Sequence, residues 1–329
     1  MMMLKLIIGV TSFSLSFFAI LLNLLIFLPV FRLGFIARKS SIYVIAFFNI
    51  LSDLMQLSVT CFYLSGSIMA DRYLLTGERD GRLGVIFGWI FINAWYMECL
   101  VQIVMAVNRF TVITMKQKNI FTFNTTMLIF LVLVATTAFS ATCTQYIFSC
   151  CVFISDKDFM SYMHIPVDGL YSYSNLMLVS YDVFCTSTST LCYISVFRSI
   201  RKSRITVPSN VQRQRANQDV KYDCLVKFRS SYDMLRYLLQ FVFISIFYIF
   251  TWVLFELLPH IVPADQPEWF SVVPVLVTLN CSSNSIIYLS LNRDVQKSLQ
   301  IPWLRNMLSG AKNSSHVQVI QVIPVNTNG

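Results

Sequence analysis

Four carboxylates stand inside long apolar stretches of this 329-residue chain: Asp53, Glu98, Asp182 and Glu256. An ionisable side chain is costly in hydrocarbon, so such residues commonly belong to binding sites or ion pathways. A protonated carboxyl that only joins two helices by a hydrogen bond explains any single one of them equally well. Their arrangement relative to other polar residues must therefore decide their role.

A polar and aromatic stripe runs along the third apolar stretch. Its members recur at spacings of 3, 4, 3 and 4, which places them on one face of a helix: Trp95, Glu98, Gln102, Met105 and Arg109. We expect this face to point into a helical bundle. Arg109 lies about 16 Å from Glu98 at 1.5 Å per residue, so the two side chains cannot pair directly.

The sixth apolar stretch carries a similar stripe, in which Tyr248, Trp252 and Glu256 follow one another at steps of four. This spacing aligns two aromatic rings below a carboxyl in the outer half of the helix. An aromatic stripe that only fills the core is the competing interpretation. Asp182 in the fifth stretch adds a further buried acid.

Asp53 and Glu98, together with Asn280 and Asn284, predict a central polar cluster. Several hard oxygen ligands suit a sodium ion, which would be the only bound cofactor. The alternative is a proton shared between the two carboxyls, because two close acids in a low dielectric do not both ionise.

The elements that position these residues must lie in lipid. The chain is 56% hydrophobic and 12% charged, with a mean hydropathy of +0.64. About 20 apolar residues span a bilayer core, and seven such stretches occur. They predict an all-α bundle of seven transmembrane helices within residues 1–300, with a disordered tail over 301–329; the predicted spans are 6–31, 41–69, 84–107, 126–154, 175–197, 238–261 and 270–291.

The distribution of Lys and Arg predicts the orientation of this bundle. With the amino terminus outside and the carboxyl terminus cytoplasmic, only 5 of the 25 basic residues face outward. The net charge of +9 is therefore a topology signal rather than a sign of nucleic-acid binding, which we do not expect. Membrane lipid and a cytosolic protein are the expected partners of the basic loops.

Short motifs at the inner ends of two spans resemble those of rhodopsin-like G-protein-coupled receptors. Asn108, Arg109 and Phe110 resemble the Asp-Arg-Tyr element, and the segment from Asn284 to Tyr288 resembles the Asn-Pro-x-x-Tyr element. The following segment LSLNRDVQKSL resembles the short amphipathic eighth helix. Residues 6–300 as a whole resemble nematode serpentine chemoreceptors, of class x in particular.

Other positions agree with this resemblance or depart from it. Asn23 and Asp53 match polar markers of the first two helices, and Trp252 matches the aromatic toggle of the sixth. Gly84 stands where the family usually has a disulfide cysteine. Cys150 or Cys151 is then expected to pair with another cysteine such as Cys61, or to remain free.

The resemblance implies a multi-pass receptor of the plasma membrane, not an enzyme. It would transduce a small-molecule or peptide ligand into activation of a heterotrimeric G protein. A biogenic amine is not expected, since Phe91 replaces the usual acid of amine receptors. The implied ligand-binding residues are Trp95, Tyr96, Asp182, Trp252, Phe255 and Glu256; the implied coupling residues are Asn108, Arg109, Phe110, Asn284 and Tyr288; the implied polar core is Asn23, Asp53, Glu98 and Asn280.

A transporter or channel is the alternative from a different class of function. In that protein the four buried carboxylates would form an ion or proton path, and broken helices or internal repeats would be expected near the midplane. The sequence shows no such repeat.

Overall fold

The computed structural model describes residues 2–75, 77–79, 81–117, 119–148, 150–165, 170–211, 245–263 and 266–299. Within them, seven long helical rods form one bundle, as predicted. The helices are α1 (Met2–Phe31), α2 (Ser41–Ser58), α3 (Ser65–Ala70), α4 (Arg82–Ile113), α5 (Phe123–Thr142), α6 (Tyr173–Val211), α7 (Ser245–Ile261), α8 (Val272–Leu291) and α9 (Arg293–Ser298). Helices α2 and α3 belong to one rod.

Hydropathy and length distinguish five of these described rods as able to cross a membrane: 2–36, 41–70, 82–113, 123–147 and 267–290. Helix α7 is a shorter apolar helix, and its predicted start at residue 238 lies outside the described residues. The predicted tail, 301–329, also lies outside them. Helix α6 runs 14 residues past its predicted end at Phe197, because polar residues continue a helix where it leaves lipid.

Helix α4 lies at the centre of the bundle, and its helical stripe faces inward as predicted. It packs against α2, α5 and α6. Trp95, Glu98, Gln102 and Met105 are each at most 5% exposed. The helix also continues one turn past Arg109, to Ile113, so the prediction that it ends at Val107 was too short.

The second rod changes its winding in the middle. A π-helical segment, Val59–Leu64, joins α2 to α3. Such segments shift the faces of a helix relative to one another and are frequent at functional sites. Here the segment holds Thr60, whose hydroxyl lies 2.5 Å from that of Tyr162.

The end of the fourth predicted span was wrong. A short π-helical segment ends this rod at Ile147, and the chain turns back as an antiparallel hairpin of β1 (Phe153–Asp156) and β2 (Ser161–His164). Phe153 pairs with His164 and Asp156 with Ser161. The apolar residues of β1 continue the preceding apolar run. Hydropathy alone therefore assigned the strand to the end of the fourth span.

The hairpin is fixed to the helices at its base. The Gln145 side chain donates to the Phe153 carbonyl at 2.8 Å and accepts from the Phe153 N–H at 2.9 Å. Gly88 on α4 lies under the same strand, where an added Cβ would meet the Phe153 carbonyl oxygen. The hairpin therefore lies directly on α4.

Ion pairs connect this hairpin to two other outer segments. Lys5 Nζ lies 2.8 Å from Asp71 Oδ1 and 2.9 Å from Asp158 Oδ1, and Lys157 contacts both acids. The hydrogen bond from Lys5 holds the pKa of Asp71 below its ordinary value. Arg79 Nε lies 2.6 Å from the fully buried Asp156. The start of α1, the loop between α3 and α4 and the hairpin thus form one cap at this end of the bundle.

Cys150 and Cys151 form a disulfide with each other. The expectation that one of them pairs with Cys61, or that both remain free, was wrong, since Cys61 is a buried free thiol.

The predicted eighth helix is present as α9. Asn292 caps it by accepting hydrogen bonds from the N–H groups of Asp294 and Val295, at 3.1 Å each. Asp294 binds Lys39 at 2.7 Å and accepts from the Tyr43 hydroxyl at 2.9 Å, which fixes α9 against the start of α2. The bond from Lys39 lowers the pKa of Asp294.

Candidate functional site

Asp182 joins three helices in the middle of the bundle. Its Oδ1 accepts a hydrogen bond from Trp95 Nε1 of α4 at 3.0 Å and another from the Tyr248 hydroxyl of α7. The Cys99 thiol of α4 lies 2.7 Å from the Tyr248 hydroxyl. All four residues are at most 5% exposed. We call this set, Trp95, Cys99, Asp182 and Tyr248, the buried lock.

A small cavity of about 20 Å³, the deep cavity, lies above the buried lock. Trp252, one turn after Tyr248 on α7, forms part of its wall. The cavity has room for about one water molecule, and half of its lining residues are aromatic. It is lined by Phe91, Ile92, Trp95, Phe153, Tyr162, Leu178, Asp182, Thr251, Trp252, Phe255, Val273 and Val277.

A larger cavity of about 440 Å³, the outer cavity, lies between the hairpin and the outer ends of α6, α7 and α8. It shares Tyr162, Phe255 and Val273 with the deep cavity. The outer cavity has the size of a small-molecule site. Its walls are formed by Cys151, Phe159, Ser161, Tyr162, Met163, His164, Ser172, Asn175, Phe255, Glu256, Pro259, His260, Val262, Phe270 and Val273.

The structure places five of the six predicted ligand residues on these two cavities. Trp95, Asp182 and Trp252 line the deep one, Glu256 the outer one and Phe255 both. Tyr96 is the exception, because it was predicted to bind ligand but lies on neither cavity.

Tyr96 lines neither cavity. Its hydroxyl lies 2.9 Å from that of Thr144, and its ring stacks on Tyr181 at 4.3 Å. Adjacent residues on a helix point about 100° apart. Trp95 therefore faces the cavity while Tyr96 packs between α4, α5 and α6.

The hairpin supplies site residues that the sequence interpretation missed. The Tyr162 ring stacks on Phe91 at 4.0 Å and separates the two cavities. His164 lies on the outer cavity and its Nδ1 is 3.0 Å from the Cys151 carbonyl oxygen. The polar pair Asp158 and Lys157 between two β-prone runs was the signal that could have predicted a turn here.

The predicted polar cluster forms between α2, α4 and α8. Glu98 accepts hydrogen bonds from Gln56 Nε2 at 2.8 Å and from Asn280 Nδ2 at 2.5 Å. Asp53 accepts from Asn284 Nδ2 at 3.1 Å. The two carboxylates and the Cys281 thiol offer ligand atoms within 4.8 Å of one another.

Three buried oxygens of this cluster have no hydrogen-bond partner among the described residues: Asp53 Oδ1, Asn280 Oδ1 and Asn284 Oδ1. Unpaired buried acceptors are costly. Such a set fits either a small hard cation or a proton on one of the carboxyls.

Asn23 extends the cluster toward α1. Its amide donates to the Cys281 carbonyl at 3.2 Å, and its oxygen accepts from the Ser285 hydroxyl at 2.7 Å. Ser285 stands where the resembling receptors have proline. The hydroxyl thus adds a contact between α1 and α8 that proline could not make.

Among the predicted coupling residues, Asn284 lies in the polar cluster, where its Nδ2 donates to Asp53. The others lie toward the end opposite the hairpin: Asn108, Arg109, Phe110 and Tyr288. Phe110 packs against Val196 and Ile200 of α6, and Asn108 is 4% exposed. Tyr288 packs in a separate apolar cluster that includes Val295 of α9. Arg109, Phe110 and α6 thus lie together at this end.

Comparison with known proteins agrees with this architecture. The family described as "Serpentine type 7TM GPCR chemoreceptor Srx" matches residues 13–290. The crystal structure of squid rhodopsin superposes with a TM-score of 0.71 at 12% identity, covering 99% of this chain and 93% of that one. No curated protein sequence matches. Neither of the two matches favours the transporter or channel alternative.

Proposed function

Because the chain belongs to the Srx family of serpentine seven-transmembrane chemoreceptors, which are G-protein-coupled, we propose that it binds a small molecule in the outer cavity at the plasma membrane. The outer cavity would face the outside of the cell and the Arg109 end the cytoplasm. The observation that carries this proposal is the shared wall of Tyr162, Phe255 and Val273 between the two cavities.

The size of the outer cavity favours a small molecule over a large ligand. About 440 Å³ lies within the range of drug-sized sites. The cap of α1, the first outer loop and the hairpin further restricts access to this end. A short peptide that inserts one side chain is the alternative ligand.

We propose that ligand binding selects between two arrangements of α7 relative to α4 and α6. A ligand can shift such an equilibrium only by binding one arrangement more tightly. Pressure on Phe255 would reach Trp252 in the deep cavity and, one turn below, the bond of Tyr248 to Asp182. Loss of that bond would free α7 to move.

Movement of α7 would expose the inner surface of α4. Asn108, Arg109 and Phe110 are then the residues that contact a heterotrimeric G protein, with Asn284 and Tyr288 positioning α8. The basic segment between α6 and α7 lies mostly outside the described residues, and its net positive charge in the sequence suits contact with anionic lipid.

We also propose a sodium ion at Asp53 and Glu98, with amide oxygens from Asn280 and Asn284. The unpartnered oxygens of this cluster support a cation there. When bound, the ion would offset one of the two negative charges of the carboxylates and hold α2, α4 and α8 together. A proton shared by the two carboxyls is the alternative, and it predicts no dependence on sodium.

The sodium proposal is tested by titrating sodium against choline on purified receptor and measuring its melting temperature. Sodium should stabilise the native protein, and Asp53→Asn should abolish that effect. Ser58→Ala, an exposed change on the same helix, serves as the control. Equal melting in both salts would favour the shared proton.

The receptor function is tested in cells that express the native chain, Arg109→Ala or Arg72→Ala, at matched surface levels. Pools of volatile and water-soluble compounds are applied while calcium and cyclic nucleotides are followed. We expect a response that Arg109→Ala loses and Arg72→Ala, in an exposed outer segment, retains. A compound-evoked current that survives Arg109→Ala would contradict the proposal.

A further inference from the structure

Two buried hydrogen-bond acceptors on the wall of the outer cavity lack partners among the described residues. They are Nε2 of His164, on the hairpin, and Oε1 of Glu256, on α7. An unpaired buried acceptor costs free energy unless something donates to it. These two atoms therefore indicate what the cavity is built to receive.

The role of His164 follows from its other nitrogen. Nδ1 lies 3.0 Å from the Cys151 carbonyl oxygen, which can only accept, so Nδ1 carries the hydrogen. Burial lowers the pKa of His164 to about 4, so the ring is neutral at pH 7. Nε2 then has a lone pair and can only accept. This tautomer is inferred from its hydrogen bond.

Glu256 is the second acceptor. Its Oε2 accepts a hydrogen bond from Asn175 Nδ2 at 3.3 Å, which fixes the carboxylate and leaves Oε1 without a donor. The described residues that line the cavity include no Lys or Arg that could neutralise this acid. The Tyr162 hydroxyl is already bonded to Thr60, and the remaining titratable side chain on the wall is His260.

Most of the remaining wall residues are apolar, and the other polar ones are Ser161, Ser172, Asn175 and His260. Phe159, Phe255 and Phe270 contribute rings, and Val262 and Val273 aliphatic surface. Aromatic faces also attract cations, which adds to the attraction of a carboxylate. Two acceptors, one of them an acid, in such a wall define a donor-bearing, positively charged ligand with an apolar body.

We propose that the outer cavity recognises small protonated amines with an aryl or alkyl body, whose N–H groups donate to Glu256 and His164. The proposal rests on the proposed function and specifies its ligand class. The counter-ion of the amine would be Glu256 on α7. An amine ligand is therefore compatible with Phe91, which occupies the position on α4 where amine receptors have an acid. The prediction that an amine is excluded considered only that position.

The test uses purified full-length receptor in lipid nanodiscs and needs no G protein. Its probes are 2-phenylethylamine, the neutral 2-phenylethanol and the anionic 3-phenylpropanoate, each titrated while the melting temperature is followed. We expect stabilisation by the amine and none by the other two. Equal stabilisation by all three, or by none, would overturn the proposal.

Variants separate recognition from folding. Glu256→Gln should weaken amine binding by roughly tenfold to a hundredfold, the range for a lost charge-assisted hydrogen bond. Glu256→Asp keeps the charge and should retain the preference for the amine. Glu268→Gln, which changes an acid outside the cavity, is the matched control. An unchanged amine affinity in Glu256→Gln would overturn the proposal.

The same measurements distinguish this inference from the proposed function. Amine binding that depends on Glu256 but evokes no Arg109-dependent signal would support the proposed ligand class and contradict the proposed signalling function. An Arg109-dependent signal that other compounds evoke and that Glu256→Gln leaves unchanged would support the signalling function and contradict the proposed ligand class.

Discussion

The Tyr248 hydroxyl donates a hydrogen bond to the Asp182 carboxylate, and this bond joins α7 to α6 one turn below Trp252. Trp95 of α4 donates to the same oxygen at 3.0 Å. One buried acid therefore holds α4, α6 and α7 together. The strength of this bond should set how often the receptor opens without ligand.

Tyr248→Phe should raise ligand-free activity, because it removes the donor from α7 while leaving the ring stack with Trp95 at 5.5 Å. The loss of a buried hydrogen bond to a carboxylate should also lower the free energy of unfolding by about 1–3 kcal/mol. Basal second-messenger level and melting temperature measure the two effects. Tyr181→Phe, on the neighbouring α6, removes a hydroxyl bonded to Ser140 and should leave basal activity unchanged. Equal basal activity in both variants would contradict the role of the lock.

Gly88→Ala should loosen the hairpin from α4. The new Cβ would meet the Phe153 carbonyl oxygen and lie 2.6 Å from Gln145 Nε2. Neither group can move away easily, because one is backbone and the other belongs to a side-chain amide held by two hydrogen bonds. We expect a loss of stability of about 1–3 kcal/mol, as for other overpacked sites. Melting temperature and protease cleavage near residue 157 report the change.

Gly66→Ala is the control for this substitution. Its Cβ would meet only the end of the flexible Leu74 side chain, so alanine should be tolerated there. If Gly88→Ala melted at the native temperature, the close approach of hairpin and α4 would be incorrect.

Arg79→Met should weaken the cap by leaving the buried Asp156 without its cation. Asp156 would keep its bonds from the N–H groups of Asp158 and Phe159, at 2.7 and 3.3 Å. The partial exposure of Arg79 limits the expected loss to about 1–2 kcal/mol. Melting temperatures of this variant and of Arg72→Met, which alters an exposed arginine, should differ accordingly. Matched melting of the two would show that the ion pair contributes nothing.

Acid should destabilise the receptor through His164. Above pH 6.5 the ring is neutral in both the folded and the unfolded chain, so its full contribution to the free energy of unfolding is present. Between pH 6.5 and about 4 only the unfolded chain takes up a proton, so the free energy of unfolding falls by up to about 3 kcal/mol. Melting temperature against pH should therefore be flatter for His164→Gln than for the native protein.

The acids of the cap, Asp71 and Asp158, affect the free energy of unfolding at lower pH than His164 does. Hydrogen bonds from Lys5 and Lys157 lower the pKa of Asp158 despite the opposing effect of burial, as Lys5 does for Asp71. Their stabilisation is present above an unfolded pKa of about 3.9 and is lost only below it. Measurements kept above pH 4.5 thus avoid these two acids, and the comparison with His164→Gln removes the contribution of the other titrating groups. Parallel pH curves for the native protein and His164→Gln would contradict its neutral state.

The helical bundle was predictable because hydropathy, charge and helical spacing all report on the same lipid boundary. The stripe from Trp95 to Arg109 followed from periods of three and four, and the cluster at Asp53 and Glu98 followed from the need of buried polar residues to satisfy one another. The pairing of Asp182 with Tyr248 did not, because it depends on the relative rotation of α6 and α7. Helical spacing orders residues within one helix and gives no register between two.

The hairpin was not predictable by the same means. Phe153 and Ile154 extend an apolar run, and hydropathy does not distinguish a buried strand from the end of a span. Tyr162 and His164 were missed with it, although they form part of the site. Their partners, Thr60 and Cys151, lie on other segments, so only the folded chain brings them together.

Tyr162 stands between the two cavities, and this gives the receptor a division of labour. We expect substitutions at Phe159, Met163 or Phe270, which line only the outer cavity, to change which molecules fit and to leave the walls of the deep cavity unaltered. We expect substitutions at Trp252 or Asp182, which line only the deep cavity, to alter the proposed switch. Ligand preference and signalling should therefore be separable in this receptor.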